Sequence, residues 1–99
     1  MTIKTFRNEA SRDVATALNS KRARQILPVH LHPKALLLLS VLHAARRLED
    51  LMISPGWHLE KLLGDRRGRY SLRINKQYRV CFTWTGSDAE NVEIIDYHR

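Results

Sequence analysis

The sequence contains one cysteine, Cys81. A lone thiol excludes an internal disulfide and any zinc site built from clustered cysteines. Long apolar runs are also missing. The greasiest stretch, Ala35-Leu36-Leu37-Leu38-Leu39-Ser40-Val41-Leu42, falls far short of the roughly 20 apolar residues a membrane-spanning helix needs. The opening residues, Met1-Thr2-Ile3-Lys4-Thr5-Phe6-Arg7, lack the apolar core of a secretion signal. There is no internal repeat and no low-complexity tract. We therefore expect a cytoplasmic protein of a reducing compartment, without membrane contact. The 99 residues suit one domain, 1–99, and are too few for folds that need about 200. Hydrophobic residues make up 43%, enough to pack a core and to exclude wholesale disorder.

What is present in excess is positive charge. Seventeen Lys and Arg against ten Asp and Glu leave a net charge of +7, which suits a polyanionic partner. The charge is concentrated. Between Lys61 and Arg79 lie Lys61, Arg66, Arg67, Arg69, Arg73, Lys76 and Arg79, against the single anion Asp65. Arginine dominates this window, and its planar fork suits phosphate better than a point charge does.

The chain divides by hydrophobic period. Thr2–Phe6 is expected as a short first strand. Asn8 and Ser11 are N-cap candidates for a helix carrying Val14, Ala17 and Leu18. Asn19-Ser20 ends it, and residues 21–28 are expected as a basic connector. Pro33 then opens the clearest helix, in which Leu31, Ala35, Leu38, Leu42 and Ala45 share one face. Leu36, Leu37 and Leu39 widen that stripe and predict heavy burial. Residues 48–52 add a short turn, and Ser54-Pro55-Gly56 is a loop. The last third alternates. Tyr70, Leu72 and Ile74 share one face, as do Tyr78, Val80, Phe82 and Trp84, and Val92 with Ile94. Gly86-Ser87-Asp88 marks a turn. The expected fold is α+β: an N-terminal strand and two to three helices packed on one face of a mainly antiparallel four-stranded sheet.

Register sharpens this reading. A turn at Asn75-Lys76-Gln77 keeps the two faces pure only if it is centred on Lys76. That pairs Leu72 with Val80 and Tyr70 with Phe82 on the covered face, and Ser71 with Cys81 and Arg73 with Arg79 on the open one. Two arginines directly opposite each other repel unless an anion lies between them. A phosphodiester fits, because each guanidinium offers two parallel N–H donors. Continuing the same alternation, Phe82 is expected opposite Ile94 and Arg79 opposite Tyr97.

The chain finishes Asp96-Tyr97-His98. Three such groups beside an arginine-rich face suit metal-free RNA cleavage. A base takes the 2′-OH proton, an acid protonates the departing 5′-oxygen, and cations stabilise the phosphorane. His98 can serve as base or acid near neutral pH, Asp96 can orient it or share the proton work, Tyr97 can stack or donate a hydrogen bond, and Arg73 and Arg79 can hold the phosphate. Other groups fit structural roles better. His30-x-His32 has no third ligand in reach and belongs to a connector. His43 sits in the leucine-rich helix, Cys81 suits a small packing position, and Trp57 and Trp84 suit core or boundary positions.

The run from Leu62-Leu63-Gly64-Asp65-Arg66-Arg67-Gly68-Arg69-Tyr70-Ser71-Leu72-Arg73-Ile74 through Asn75-Lys76-Gln77-Tyr78-Arg79-Val80-Cys81-Phe82, followed by Val92-Glu93-Ile94-Ile95-Asp96-Tyr97-His98, resembles the HigB toxins of type II toxin–antitoxin systems, within the RelE/ParE superfamily. The resemblance covers roughly the last 40 residues most specifically. It implies a RelE-like, microbial-ribonuclease-like fold and a metal-independent endoribonuclease that cleaves translated mRNA on the ribosome and arrests growth. It implies no cofactor. It also implies a HigA-like helix-turn-helix antitoxin, with operator DNA contacted only through that antitoxin. The family's terminal Asp-Tyr-His maps onto Asp96, Tyr97 and His98, and its strand arginines onto Arg73 and Arg79. A further family histidine is replaced here by Glu60, with His58 two residues away, so either residue can take its place or cleavage is weaker. Lys61, Arg66, Arg67, Arg69 and Lys76 are the expected RNA and ribosome contacts. The alternatives are a ParE-like, non-catalytic inhibitor of DNA gyrase and a basic ribosome- or RNA-binding protein without catalysis.

Overall fold

The computed structural model describes residues 2–62 and 68–97. Three helices, α1 (Glu9–Ala15), α2 (Lys21–Ile26) and α3 (His32–Ala44), precede four strands, β1 (Glu60–Lys61), β2 (Arg69–Arg73), β3 (Tyr78–Trp84) and β4 (Ala89–Asp96). Short 3₁₀ turns occupy Val29–Leu31, Leu48–Met52 and Pro55–Trp57. The strands pair antiparallel in the order β1-β2-β3-β4. The fold is α+β, with the helices packed against an open sheet.

The opening segment is less of a strand than expected. Residues 2–7 run parallel to β4 and meet it through two isolated bridges, Ile3 to Ala89 and Phe6 to Val92. The Lys4 and Arg7 amides each donate to β4 carbonyls at 2.9 Å. The fourth full member of the sheet is instead β1, a two-residue strand too short to leave a periodic signal. On the far edge of β4, the Ile94 amide donates to the Ser11 hydroxyl at 2.9 Å, so α1 and the opening segment together cover an edge that would otherwise be open to pairing.

α1 starts where Asn8 Oδ1 accepts the Ser11 amide. It is capped at Thr16, and the chain turns away at Ala17, whose φ of 59° lies in the left-handed region. There the Leu18 amide donates to the Asp13 carbonyl and the Ala17 amide to that of Val14, a terminus that glycine usually makes.

Residues 21–28 do not form a connector; most of them are α2. Ser20 caps it, its hydroxyl accepting the Ala23 amide at 3.1 Å. Lys, Arg and Gln are good helix formers, but only Ala23 is fully buried, so no apolar period betrays the helix. Its end is held by His32, whose Nε2 donates to the carbonyls of Ala23 (3.1 Å) and Leu27 (2.9 Å). α2 is tied to α1 through Asp13. Its Oδ2 accepts Arg22 Nε and Ser20 Oγ, both at 2.6 Å, while Arg22 Nη1 reaches Glu9 at 2.7 Å. The Arg22 hydrogen bond, followed by that of Ser20, holds the Asp13 carboxyl below its ordinary value.

α3 buries Ala35, Leu38, Leu39 and Leu42 against the sheet, with Ala45 just beyond its end. Leu37 does not join them and is 52% exposed. A stripe that wide exceeds what one contact face can cover. Across the core, Leu72, Ile74, Val80, Phe82, Val92 and Ile94 form the covered sheet face. Phe82 stacks on Tyr70 and meets Trp84 edge-on. Burying each such Leu or Phe side chain stabilises the fold by about 1.5–3 kcal/mol.

The β2–β3 register is the expected one: Tyr70 opposite Phe82, Ser71 opposite Cys81, Leu72 opposite Val80 and Arg73 opposite Arg79. The turn closes around Asn75, whose side-chain oxygen accepts the amides of Gln77 and Tyr78, both at 2.8 Å. From Tyr78 to Cys81 the β3–β4 register differs by two residues, and beyond the irregularity, at Thr83 and Trp84, by three. Arg79 faces Ile95 and Val80 faces Ile94. A shift of two keeps each side chain on its face, so alternation alone does not choose between them. The turn begins β4 at Ala89, and an irregularity between Cys81 and Thr83 accompanies the positive φ of Asn91, 51°.

Candidate functional site

The face of the sheet away from the helices carries Arg73, Arg79 and Ser71. Arg79 is central. It is only 7% exposed, and a buried cation must be paired and hydrogen-bonded. Three groups do this. Nε donates to Ser71 Oγ at 2.6 Å. Nη2 donates to the His58 carbonyl at 2.6 Å and meets Glu60 Oε1 at 3.0 Å. The guanidinium also lies over the Tyr97 ring, 5.8 Å from its centroid, an arrangement worth about 0.5–2 kcal/mol.

Each partner is delivered by local structure. The 3₁₀ turn Pro55–Trp57 leads into His58, whose φ of 46° is left-handed. That conformation costs an L-residue roughly 1–2 kcal/mol and accompanies the turn of the His58 carbonyl toward Arg79. Glu60 follows on β1, opposite Ser71. Tyr97 follows β4, where its amide donates to the Gln77 carbonyl.

Arg73, directly opposite Arg79, is half-buried and makes one longer hydrogen bond, Nε to the Asn75 carbonyl at 3.3 Å. Among the described residues it has no ion pair. Among the described residues the like-charge pair is therefore relieved on the Arg79 side, where Glu60 sits.

The remaining expected site residues are spread more widely. Asp96 faces Tyr78 in the register and accepts Gln77 Nε2 at 3.0 Å, placing it by the hairpin end rather than on Arg79. Lys76 is exposed in the turn, and Lys61 is exposed on β1 opposite Tyr70. Arg69 occupies the other half of the open face, where it bonds Thr83 at 3.0 Å and Glu93 at 2.8 Å, so its charge is already matched. His98, Arg66 and Arg67 lie outside the described residues. Ser71 was not among the expected site residues. The β2–β3 register did place it on the arginine face, and a hydroxyl there is the signal that could have found it.

This architecture, helices packed against an open four-stranded antiparallel sheet, is an α+β fold consistent with RelE-like toxins. Residues 15–98 match the family of HigB-like toxins, described as the RelE-like toxin of type II toxin–antitoxin system HigB. The chain belongs to that family. It is 43% identical over 61 residues to toxin HigB-1 of Vibrio cholerae serotype O1, a match covering 62% of this chain and 63% of the relative. The match thus spans somewhat less than two thirds of that relative's length. An uncharacterized protein of Haemophilus influenzae is 31% identical over 72 residues, covering 73% of this chain and 70% of its own.

Proposed function

We propose that this protein is the toxin of a type II toxin–antitoxin module that acts as a metal-independent endoribonuclease on mRNA held in the ribosome. The observation that carries this reading is the Arg79 corner: a fixed guanidinium opposite Arg73, flanked by Tyr97, Glu60 and His58. In the proposed reaction the RNA 2′-oxygen attacks the adjacent phosphorus and the bond from phosphorus to the 5′-oxygen breaks. One group takes the 2′-proton and another returns a proton to the 5′-oxygen. The cations neutralise charge that grows on the phosphorane, where preorganised donors act most strongly.

His98 and Asp96 are proposed for proton transfer and its orientation, with Glu60 or His58 supplying the second titratable group. Tyr97 holds the aromatic contact on Arg79 and offers a ring to a base. Lys61, Arg66, Arg67, Arg69 and Lys76 are proposed to contact ribosomal or messenger RNA. Arg69 already pairs with Glu93, so its contact with RNA exchanges that partner. A HigA-like antitoxin is the proposed partner, through which operator DNA is bound. The protein is proposed to work in the cytoplasm as one domain.

Expression in a bacterium, with mapping of mRNA 5′ ends, tests the reading. Discrete new ends that disappear with His98→Ala support it. Growth arrest without new ends, accompanied by gyrase inhibition, contradicts it.

A further inference from the structure

The three polar partners of Arg79 differ in how readily they can be exchanged. Glu60 is 57% exposed along its side chain, so a phosphate oxygen can take its place on Nη2. The His58 carbonyl is backbone, and Ser71 is fully buried. Among the described residues only Ser71 holds Nε, the atom at the root of the planar group, and its Oγ lies 2.6 Å away. A bond at Nε together with one at Nη2 fixes the plane as well as the position of the guanidinium. Ser71 itself sits on β2 between Glu60 of β1 and Cys81 of β3, anchored by strands on both sides.

We propose that Ser71 is a positioning residue for the reaction at Arg79. Its hydroxyl fixes the plane of the guanidinium, so that the phosphodiester displaces Glu60 and meets a donor already oriented. This rests on the ribonuclease reading given above. Fixed donors act chiefly on the transition state, and an interaction made there lowers kcat and kcat/KM together when removed. Ser71 is buried and does not itself touch the substrate, so binding of the protein to the mRNA-loaded ribosome, and with it KM, is unaffected.

The test compares wild type, Ser71→Ala and Ser71→Cys in cleavage of ribosome-bound mRNA, alongside nuclear magnetic resonance of the Arg79 Nε–H group, assigned by its loss in Arg79→Lys. Wild type is expected to show a slowly exchanging Nε–H. Ser71→Ala is expected to lose that protection and about tenfold in kcat at unchanged KM. If Ser71→Ala does not fold by circular dichroism, Ser71→Cys, similar in volume with a weakly accepting sulfur, carries the same comparison and the same expectation. An unprotected Nε–H in the wild type, or wild-type kcat in the folded variant, overturns the proposal. A wild type that leaves mRNA intact overturns the ribonuclease reading and the catalytic part of this one, while the resonance comparison still judges whether Ser71 holds Arg79.

Discussion

Arg73 and Arg79 stand directly opposite each other across β2 and β3, yet among the described residues only Arg79 carries a carboxylate, from Glu60 at 3.0 Å. The two arginines therefore differ in what they do for the fold. Arg79→Ala removes a buried cation from Ser71 and the His58 carbonyl and leaves both without their donor. It should lower unfolding free energy by about 1–3 kcal/mol. Arg73→Ala, at a half-buried position with one longer hydrogen bond, should stay within about 1 kcal/mol of wild type. Urea unfolding of the two variants decides this, and equal losses would contradict the asymmetry.

Tyr97 offers a ring to Arg79. Tyr97→Phe keeps the ring and should retain most cleavage, whereas Tyr97→Ala should lose roughly three- to thirtyfold, the worth of the cation–π contact. Single-turnover rates separate the two. A Phe variant as poor as the Ala variant would assign the role to the hydroxyl instead.

The acid limb of the stability curve should depend on Asp13. Arg22 and Ser20 depress its carboxyl in the folded protein, so the stabilisation is complete above the unfolded value of about 4. It fades as pH falls through the lower folded value. Asp13→Asn should flatten the loss of stability as pH falls below about 4, measured by thermal unfolding across pH. An unchanged acid limb would place the sensitivity elsewhere, with Asp50, whose carboxyl is lowered by the Arg46 and Arg47 amides, the next group to test.

Two substitutions probe the helical layer. Ala17→Gly relieves a left-handed L-residue at the end of α1 and should stabilise the protein by about 0.5–1 kcal/mol. Leu38→Ala empties a fully buried position and should cost about 2–5 kcal/mol, while Leu37→Ala, at an exposed one, should change little. Denaturant midpoints report all three.

The parts of the fold legible in the sequence were those fixed by local period. Leu72, Ile74, Val80 and Phe82 alternate so strictly that only one parity of pairing buried them all, and the opposed arginines followed from it. α3 was legible from Ala35, Leu38 and Leu42 recurring at helical spacing. α2 was not, because one buried alanine among charged residues makes no pattern and its stability comes from Ser20 and His32 at its ends. The β3–β4 register escaped by two residues from Tyr78 to Cys81, where that slip preserves each face, and by three beyond the irregularity, which with the turn before Ala89 decides it. The Glu60–Arg79 pair joins residues 19 apart across three strands, and no local pattern announces such a contact. Sequence placed Arg79, Arg73 and Tyr97 together and Ser71 on the same face, but not the bonds from the Ser71 and His58 oxygens that hold Arg79 still.

The central claim is that Arg79 meets the phosphate of a bound messenger, and single-turnover cleavage of ribosome-bound mRNA by wild type and Arg79→Ala tests it most directly. The prediction is discrete 5′ ends from wild type and a rate roughly ten- to a hundredfold lower in the folded variant, the loss of a charge-assisted hydrogen bond. A folded Arg79→Ala protein that cleaves at the wild-type rate would contradict it.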